Sequence, residues 1–534
     1  MLIMSINRKI ITTAMAALVL GASSCKKYLN VNQNPNISQT ATVKTLLPAA
    51  QLYVASTVGV DLQINGCIWG EFWTQDPGAN QYRQLEQYAP NQDYFSTPWN
   101  NLYEAGENFF QLYKLADSQK KTQYMAIALV MEAYTFQLIT DAWGNAPYTQ
   151  ALKGQFADSN ITSPKYDSTR TIYFGIIANI DSALSLMNPT AAVLPGADDL
   201  VYGGNMTQWE KFAYTLKLRI YMRMSEIDPI DAQAGITAIY TDPKFQQVGF
   251  IGQGDDAFIG FGYNTNNESP LYSEELGLGQ GVQNLVGSNT CIDSMNSNGD
   301  PRAYLFYEGT SSSSGTNIVG IPQGDYESTT LSTAFSIPNV YVAGDAANSS
   351  SGKAPVNLLT SWESYFLQAE VVAKGWQSSS SGYSDDSLFY HGIMASFNYY
   401  STQLTAAYST FFTNIGFPLP LTSSVYQDYI SGAWLQNGIG GTGVGYWTVY
   451  PTTGTFAQKQ RFIITQKWFA MCGNQGFEAW CERRRTGYPD FFVLSPNSLI
   501  GPTYPERFLY PTSESSRNLN FPGLQALTAP VWWQ

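Results

Sequence analysis

Residues 120–141 read KKTQYMAIALVMEAYTFQLITD, and the spacing of the large apolar side chains in this stretch decides the fold class. Tyr124, Ile127, Met131, Tyr134 and Leu138 recur at alternating intervals of three and four. That period lines one face of an α-helix, whereas a half-buried strand alternates every second residue. Ala126, Ala128 and Ala133 leave room for a neighbouring helix to approach closely. The same period recurs near 43–58, 98–116, 168–187 and 207–226, and again over 360–375, 384–412, 457–471 and 477–485. Many of these segments follow one another in pairs, which predicts helical hairpins stacked side by side, although no fixed repeat length is visible.

Between residues 241 and 358 the character changes to Gly, Ser, Asn, Pro and aromatics, with short apolar stretches at Ala257–Tyr263 and Val340–Ala343 that predict strands between loops. The low-complexity pieces Ser311–Gly315, Ser349–Gly352 and Ser378–Gly382 read as solvent-exposed loop tips. A second loop-rich block spans 417–454, and the tail after Pro489 is irregular. The fold class is therefore mostly α: stacked helix pairs carrying a loop-rich face with short strands.

Ahead of the helices, Arg8 and Lys9 precede an uncharged run from Ile10 to Leu20, then Gly21, Ala22, Ser23, Ser24 and Cys25. Eleven apolar residues are about half of what a bilayer-spanning helix needs, so residues 1–24 read as a cleaved export signal. Small residues ending in Cys have the form of a bacterial lipobox, which makes Cys25 the lipid-anchored residue. Acyl chains contribute about 0.8 kcal/mol per buried methylene, and two or three of them hold a protein stably at a membrane. Residues 25–42 are then a tether, and 43–534 a single domain with loop-rich insertions at about 241–358 and 417–454.

Charged residues make up only 13% of the 534-residue chain, well below the usual quarter, and Tyr, Asn, Gln, Ser and Thr fill the gap. A net charge of −13 leaves no electrostatic footprint for nucleic acid or for anionic lipid. Apart from Cys25 there are Cys67, Cys291, Cys472 and Cys481, too few and too scattered to staple a chain of this size. Cys472 and Cys481 would lie about 13 Å apart on a straight helix, so a bridge between them needs a bend, for which Gly473 and Gly476 are candidates.

Catalytic chemistry finds little support. His391 is the only histidine, which removes multi-histidine metal sites and most nucleophilic triads. Gly438–Gly443 spells G-x-G-x-x-G, but no helix begins after it, so a loop is the better reading than a dinucleotide site. Arg483, Arg484 and Arg485 share a helix with Glu478 and Glu482 and read as structural ion pairs. A glycoside hydrolase needs two carboxylates about 5–9.5 Å apart, and no segment offers a recognisable pair. Asn296, Asn298 and Asp300 alternate like the start of a calcium loop but lack its glycine and closing glutamate; oxygen-rich loops leave calcium open, and no other cofactor is indicated.

Loop aromatics are the residues best suited to function, because a flat ring covers the apolar face of a sugar while nearby amides and carboxylates bond its hydroxyls. Trp69, Trp73 and Tyr82 sit near Gln75, Asp76, Asn80 and Arg83. Tyr263 and Tyr272 flank Asn264, Asn266, Asn267 and Glu268, and Trp434, Tyr446 and Trp447 frame the glycine loop. Against each stands the ordinary reading of Trp and Tyr as packing residues.

Several pieces occur in a fixed order. Cys25 is followed by Lys27-Tyr28-Leu29-Asn30 and Asn34-Pro35-Asn36, and the first long helix pair by Asp141-Ala142-Trp143-Gly144-Asn145-Ala146-Pro147-Tyr148. Then come Asp300-Pro301-Arg302, Glu363-Ser364-Tyr365-Phe366-Leu367-Gln368-Ala369-Glu370, Gln466-Lys467-Trp468-Phe469, Glu478-Ala479-Trp480 and Arg484-Arg485-Thr486-Gly487-Tyr488-Pro489. This set resembles the SusD/RagB outer-membrane lipoproteins over nearly the whole chain. The resemblance implies helix pairs like tetratricopeptide repeats, a ligand face of loops and short strands, and no reaction. It also implies a SusC-like TonB-dependent transporter as partner, an outer-membrane location facing the cell exterior, and a glycan or, in some members, a peptide as ligand. A secreted carbohydrate-active enzyme and an adhesive surface protein are the other classes to weigh.

Overall fold

Each helical segment expected from apolar spacing is found to within a few residues in the computed structural model, which describes residues 41–154, 161–262, 264, 266–279, 282–312, 315–327, 335–378, 383–400 and 446–534. In chain order the structure has α1 (Val43–Thr57), continued through a π-helical turn into α2 (Gln63–Trp69), which the spacing did not predict, then α3 (Ser96–Ser118) and α4 (Thr122–Trp143). There follow α5 (Thr169–Leu186), α6 (Met206–Arg223), α7 (Pro229–Thr241), α8 (Ser361–Ala373), α9 (Asp385–Tyr399), α10 (Phe456–Met471) and α11 (Gly476–Thr486). The expected continuation of α9 to residue 412 falls outside the described residues. Neighbours in sequence pack as neighbours in space: α1 on α3, α3 on α4, α4 on α5, and α8 on both α9 and α10. The stacked hairpins are thus present in the compact unit Val43–Gln534. Among the described residues no helix is long and apolar enough to cross a membrane.

The structure departs from the sequence reading of α4 in one respect. Its spacing predicts a single buried face, yet Thr135, Gln137, Thr140 and Asp141 are buried as well. Helices α3 and α5 flank it, α1 and α6 touch it as well, and its Asp141 carboxylate accepts from the Tyr173 hydroxyl of α5 and from Trp533 Nε1 of the C-terminal segment, the latter at 3.1 Å. The helix stops at Gly144, whose φ of +79° is open to glycine at little cost.

Strands are short and all paired antiparallel: β1 (Trp73–Gln75) with β5 (Leu285–Gly287), β2 (Ala146–Pro147) with β3 (Tyr166–Asp167), β4 (Ala257–Ile259) with β8 (Val356–Leu359), and β6 (Thr310–Ser312) with β7 (Gly315–Asn317). The stretch 241–358 is less irregular than its composition suggests. It holds helices at Pro243–Val248, Pro270–Gly279, Asn289–Ser297 and Ala303–Phe306, each of which begins just after a Pro, Ser or Asp punctuation that reads equally well as a turn. Val340–Val342 is a 3-10 turn rather than a strand, ended by Ala343 at φ +60°. Ser349–Gly352 is not an exposed tip: Ser351 and Gly352 are buried, and Ser351 Oγ donates to the Asp345 carbonyl at 2.7 Å.

Cys67, Cys291, Cys472 and Cys481 are buried free thiols. The helix does break between Cys472 and Cys481, at Gly473 (φ +68°), but no bridge follows. Cys472 Sγ lies 3.8 Å from Cys291 Sγ, and Cys481 Sγ faces the Arg484 guanidinium at 2.9 Å.

Helices α2 and α11 touch backbone to backbone. A Cβ at Gly66 would stand 2.1 Å from Phe477 N, and one at Gly476 would stand 2.5 Å from Cys67 Sγ. Backbone cannot yield as a side-chain end can, so Gly66→Ala should cost at least the ~1–3 kcal/mol of an overpacked core. Thermal unfolding is the check; an unchanged midpoint would mean that these helices can part freely.

The centre of the helical scaffold is charged. Arg219 grips Glu363 bidentately (Nε–Oε1 2.6 Å, Nη2–Oε2 2.7 Å). Arg223 bonds Glu478 and Glu482, the latter at 2.9 Å, with Asp141 3.5 Å from its Nε. Arg485 bonds Glu370 and Glu482, both at 2.6 Å, and Lys467 Nζ stands 3.6 Å from Glu482. Arg484 lies on the Trp480 ring at 3.6 Å and donates to the Asp141 carbonyl. The ion pairs expected for Arg485 are thus real but reach beyond their own helix, while Arg484 is held by carbonyls and a ring instead. Five of the ordered sequence pieces, carrying Asp141, Glu363, Glu370, Lys467, Glu478, Arg484 and Arg485, converge on this one buried network.

Candidate ligand-binding face

The sequence-predicted aromatics are mostly beneath the surface. Trp69 is 4% exposed and packs on Trp480 at 5.1 Å, its Nε1 donating to the Leu85 carbonyl. Trp73 is fully buried in β1. Tyr82 is buried too, its hydroxyl donating to Glu275 Oε1 at 2.5 Å and its amide to Gln75 Oε1. Their apolar area holds the core together, and as placed they offer no ring to a ligand; what they support is the exposed turn 76–81, which carries Asn80 and Gln81. Tyr272 is 6% exposed, close beneath Gly352. Trp447 is half-buried between Phe462 and Phe491, with the Arg461 guanidinium 5.0 Å above its ring. Tyr263, Trp434, the Tyr446 side chain, Cys25 and the glycine loop 438–443 lie outside the described residues.

The calcium-like spacing at 296–300 serves other ends. Asp300 binds the Arg302 guanidinium at 2.6 Å, and Asn298 Oδ1 accepts the Trp447 amide. His391 donates from Nδ1 to the Ser387 carbonyl at 2.7 Å, a helix-internal bond.

An open pocket of about 280 Å³ lies where β4 meets the C-terminal turn of α9, lined by Gln253, Gly254, Asp256, Phe258, Ala395, Asn398 and Tyr399. Strand β4 sets one wall. Ala257 and Ile259 point into the core while Phe258 points out, 38% exposed, as the two-residue period of a strand requires. The Phe258 and Tyr399 rings meet edge to face at 6.4 Å. Tyr399 is braced from behind by Trp362 at 5.0 Å, and its hydroxyl donates to Asn357 Oδ1 at 2.9 Å. Asp256 is held in turn by the start of α8: its Oδ1 accepts both the amide and the hydroxyl of Ser361 at 2.7 Å. Burial raises the Asp256 carboxyl above the usual carboxylate range against those two donors.

The pocket therefore has an apolar, aromatic floor, two primary amides and one anchored carboxylate. That set binds the face and hydroxyls of a flat polar molecule without chemistry being required. The sequence reading did not single out these residues. One signal was available: within the apolar run 257–263, Phe258 stands on the phase opposite to Ala257 and Ile259, where a solvent-facing strand position ordinarily carries a polar side chain.

The family described as "SusD-like_2: Starch-binding associating with outer membrane" matches residues 35–511. The chain belongs to the SusD-like family. Solved structures agree in fold. A chitin-binding protein superposes with a TM-score of 0.72 at 21% identity, covering 92% of this chain and 99% of that one. A SusD homologue from Bacteroides uniformis gives 0.69 at 22% identity, covering 91% and 99%. A chitin-binding SusD homologue from Flavobacterium johnsoniae gives 0.67 at 21% identity, covering 92% and 98%. No curated protein matches this chain. The SusD-like architecture, mostly helical with tetratricopeptide-like pairs and a few short strands, is thus the fold of this molecule.

Proposed function

We propose that this SusD-like protein binds a glycan at the cell surface for delivery to a SusC-like TonB-dependent transporter, anchored in the outer membrane through Cys25, and that it is a binding protein and not an enzyme. The observation that carries the reading is the pocket lined by the exposed Phe258 ring and the half-buried Tyr399 ring, which with flanking Gln253, Asn398 and Asp256 suit a sugar ring and its hydroxyls. The family description names starch binding and outer-membrane association, and two of the similar solved structures are chitin-binding proteins. Sequence supports export and anchoring through Arg8, Lys9, the run Ile10–Leu20 and Cys25.

The test is affinity electrophoresis and calorimetry of the purified protein against soluble starch, chitin oligomers and other polysaccharides. Phe258→Ala should weaken binding at least about tenfold, the equivalent of ~1.4 kcal/mol and within the worth of a stacking ring. Equal affinity in the variant would remove the pocket from the reading, and release of reducing sugar from any bound polymer would make the protein an enzyme. Capture of peptides in place of glycans would place it with the peptide-binding members of its family.

A further inference from the structure

The pocket does not end at Asn398. On α9 the residues His391, Ala395 and Asn398 follow the spacing of four and three that places them on one face, so the helix continues the pocket wall back toward its N-terminus. Two more rings stand there. Tyr383, 43% exposed, meets His391 at 4.7 Å and 61°, and Tyr365 of α8 meets it from the other side at 5.5 Å. The Tyr365 hydroxyl lies against Gly252, where an added Cβ would touch it at 3.5 Å, and the next residue, Gln253, already lines the pocket. Two aromatic clusters, Phe258–Tyr399 and Tyr383–His391–Tyr365, are thus joined by one amide-bearing stretch of backbone. His391 and Asn398 are seven residues apart, about 10 Å along the helix axis. A single sugar ring does not span that length.

Among the described residues, the charge beside this strip is mainly that of carboxylates. Asp255 and Asp256 stand near Tyr365, and the lysine there, Lys211, is committed to Asp255 at 2.7 Å. His391 Nδ1 is taken up by the Ser387 carbonyl at 2.7 Å. A polymer bearing carboxylates or sulfates would meet carboxylates there, a mismatch that disfavours it.

Resting on the glycan reading, we infer that Tyr383, His391 and Tyr365 form a second subsite continuous with the Phe258–Tyr399 pocket, and that the two together select an extended, uncharged polysaccharide chain rather than a mono- or disaccharide or an acidic polymer. Rings exposed at both ends and amides between them present a ladder on which successive sugar units stack.

The experiment is affinity electrophoresis of the full protein in gels containing soluble starch, glycol chitin, xylan, alginate or heparin, followed by calorimetry with a size ladder of one to six units from whichever polymer retards it. The expected result is retardation by a neutral polymer, an affinity that rises at least tenfold between two and five units, and loss of most of that gain in Tyr383→Ala. Tyr383 is exposed enough that this variant keeps the wild-type melting temperature, which is measured alongside. Retardation abolished by Phe258→Ala but untouched by Tyr383→Ala, or an affinity that is flat with chain length, overturns the second subsite and leaves the glycan reading standing. Retardation by alginate or heparin alone overturns the charge selection. No retardation by any of the five polymers overturns the glycan reading and this inference with it.

Discussion

Glu482→Ala should destabilise the protein by about 3–5 kcal/mol, the cost of removing one partner from a buried ion pair and leaving its counter-ions unmatched. Glu482 is 3% exposed and is shared by Arg223 at 2.9 Å, Arg485 at 2.6 Å and Lys467 at 3.6 Å. Burial alone would raise its carboxyl, yet those three cations hold it far below the usual range. After truncation, Arg223 keeps Glu478 and Arg485 keeps Glu370, but Lys467 retains only carboxylates 3.9 Å and 4.0 Å away. Glu482→Gln separates charge from shape, since it preserves volume and one acceptor. Urea unfolding of the three proteins measures the effect, and a loss below about 1 kcal/mol in Glu482→Ala would show that water enters the network and screens it.

A second large effect should appear on titration: the protein should lose several kcal/mol of stability as pH rises from about 5 to about 8.5. Burial lifts the Glu71 carboxyl to about 8 and that of Glu86 to about 7. Both side chains are essentially inaccessible, Glu71 accepting the Val493 amide and Glu86 the Thr74 hydroxyl and the Gln75 amide. Between the unfolded carboxyl value near 4.5 and these raised values, the folded state binds more protons than the unfolded one, so stability falls with rising pH. A tenfold difference in proton affinity between the two states is worth about 1.4 kcal/mol, which places the sum on the order of several kcal/mol. Glu482 acts in the opposite sense: its lowered carboxyl contributes stability above about pH 4.5 and loses it in acid. The optimum therefore lies on the acid side of neutrality, near pH 5. Melting temperatures from pH 5 to 8.5 decide the matter; a stability that climbs from pH 6 to 8.5 would mean that Glu71 and Glu86 are solvated in the folded chain.

The helical scaffold was legible because its signal is local. Tyr124 to Leu138 state their period within one stretch of chain, and α1, α3 to α6 and α8 to α11 follow from such stretches, whereas α2 and α7 were not expected. Burial on all sides of α4 was not legible, since part of what covers it arrives from far along the chain, as Trp533 does 392 residues beyond Asp141. The candidate pocket has the chemistry sought in the sequence, a ring beside amides and a carboxylate, but builds it from other residues. Trp69, Trp73 and Tyr82 have the composition of a sugar site, yet a loop aromatic and a core aromatic look alike until long-range contacts choose between them. Phe258 and Tyr399 were concealed for the converse reason: each sits inside a regular element, where an aromatic ordinarily means packing. The ordered pieces that carried the family resemblance largely build the charged core. They report how the chain is put together, which is why they name the fold and are silent on the ligand.

The reach of the charged core bears on when the chain can close. Its members are drawn from α4, α6, α8, α10 and α11, and Trp533 seals Asp141. A nascent chain that has emerged as far as α6 presents Asp141, Arg219 and Arg223 with no Glu363, Glu478 or Glu482 to receive the two arginines, and so has every reason to stay unfolded. Placing the pairing partners late in the chain ties closure of the core to its C-terminal third.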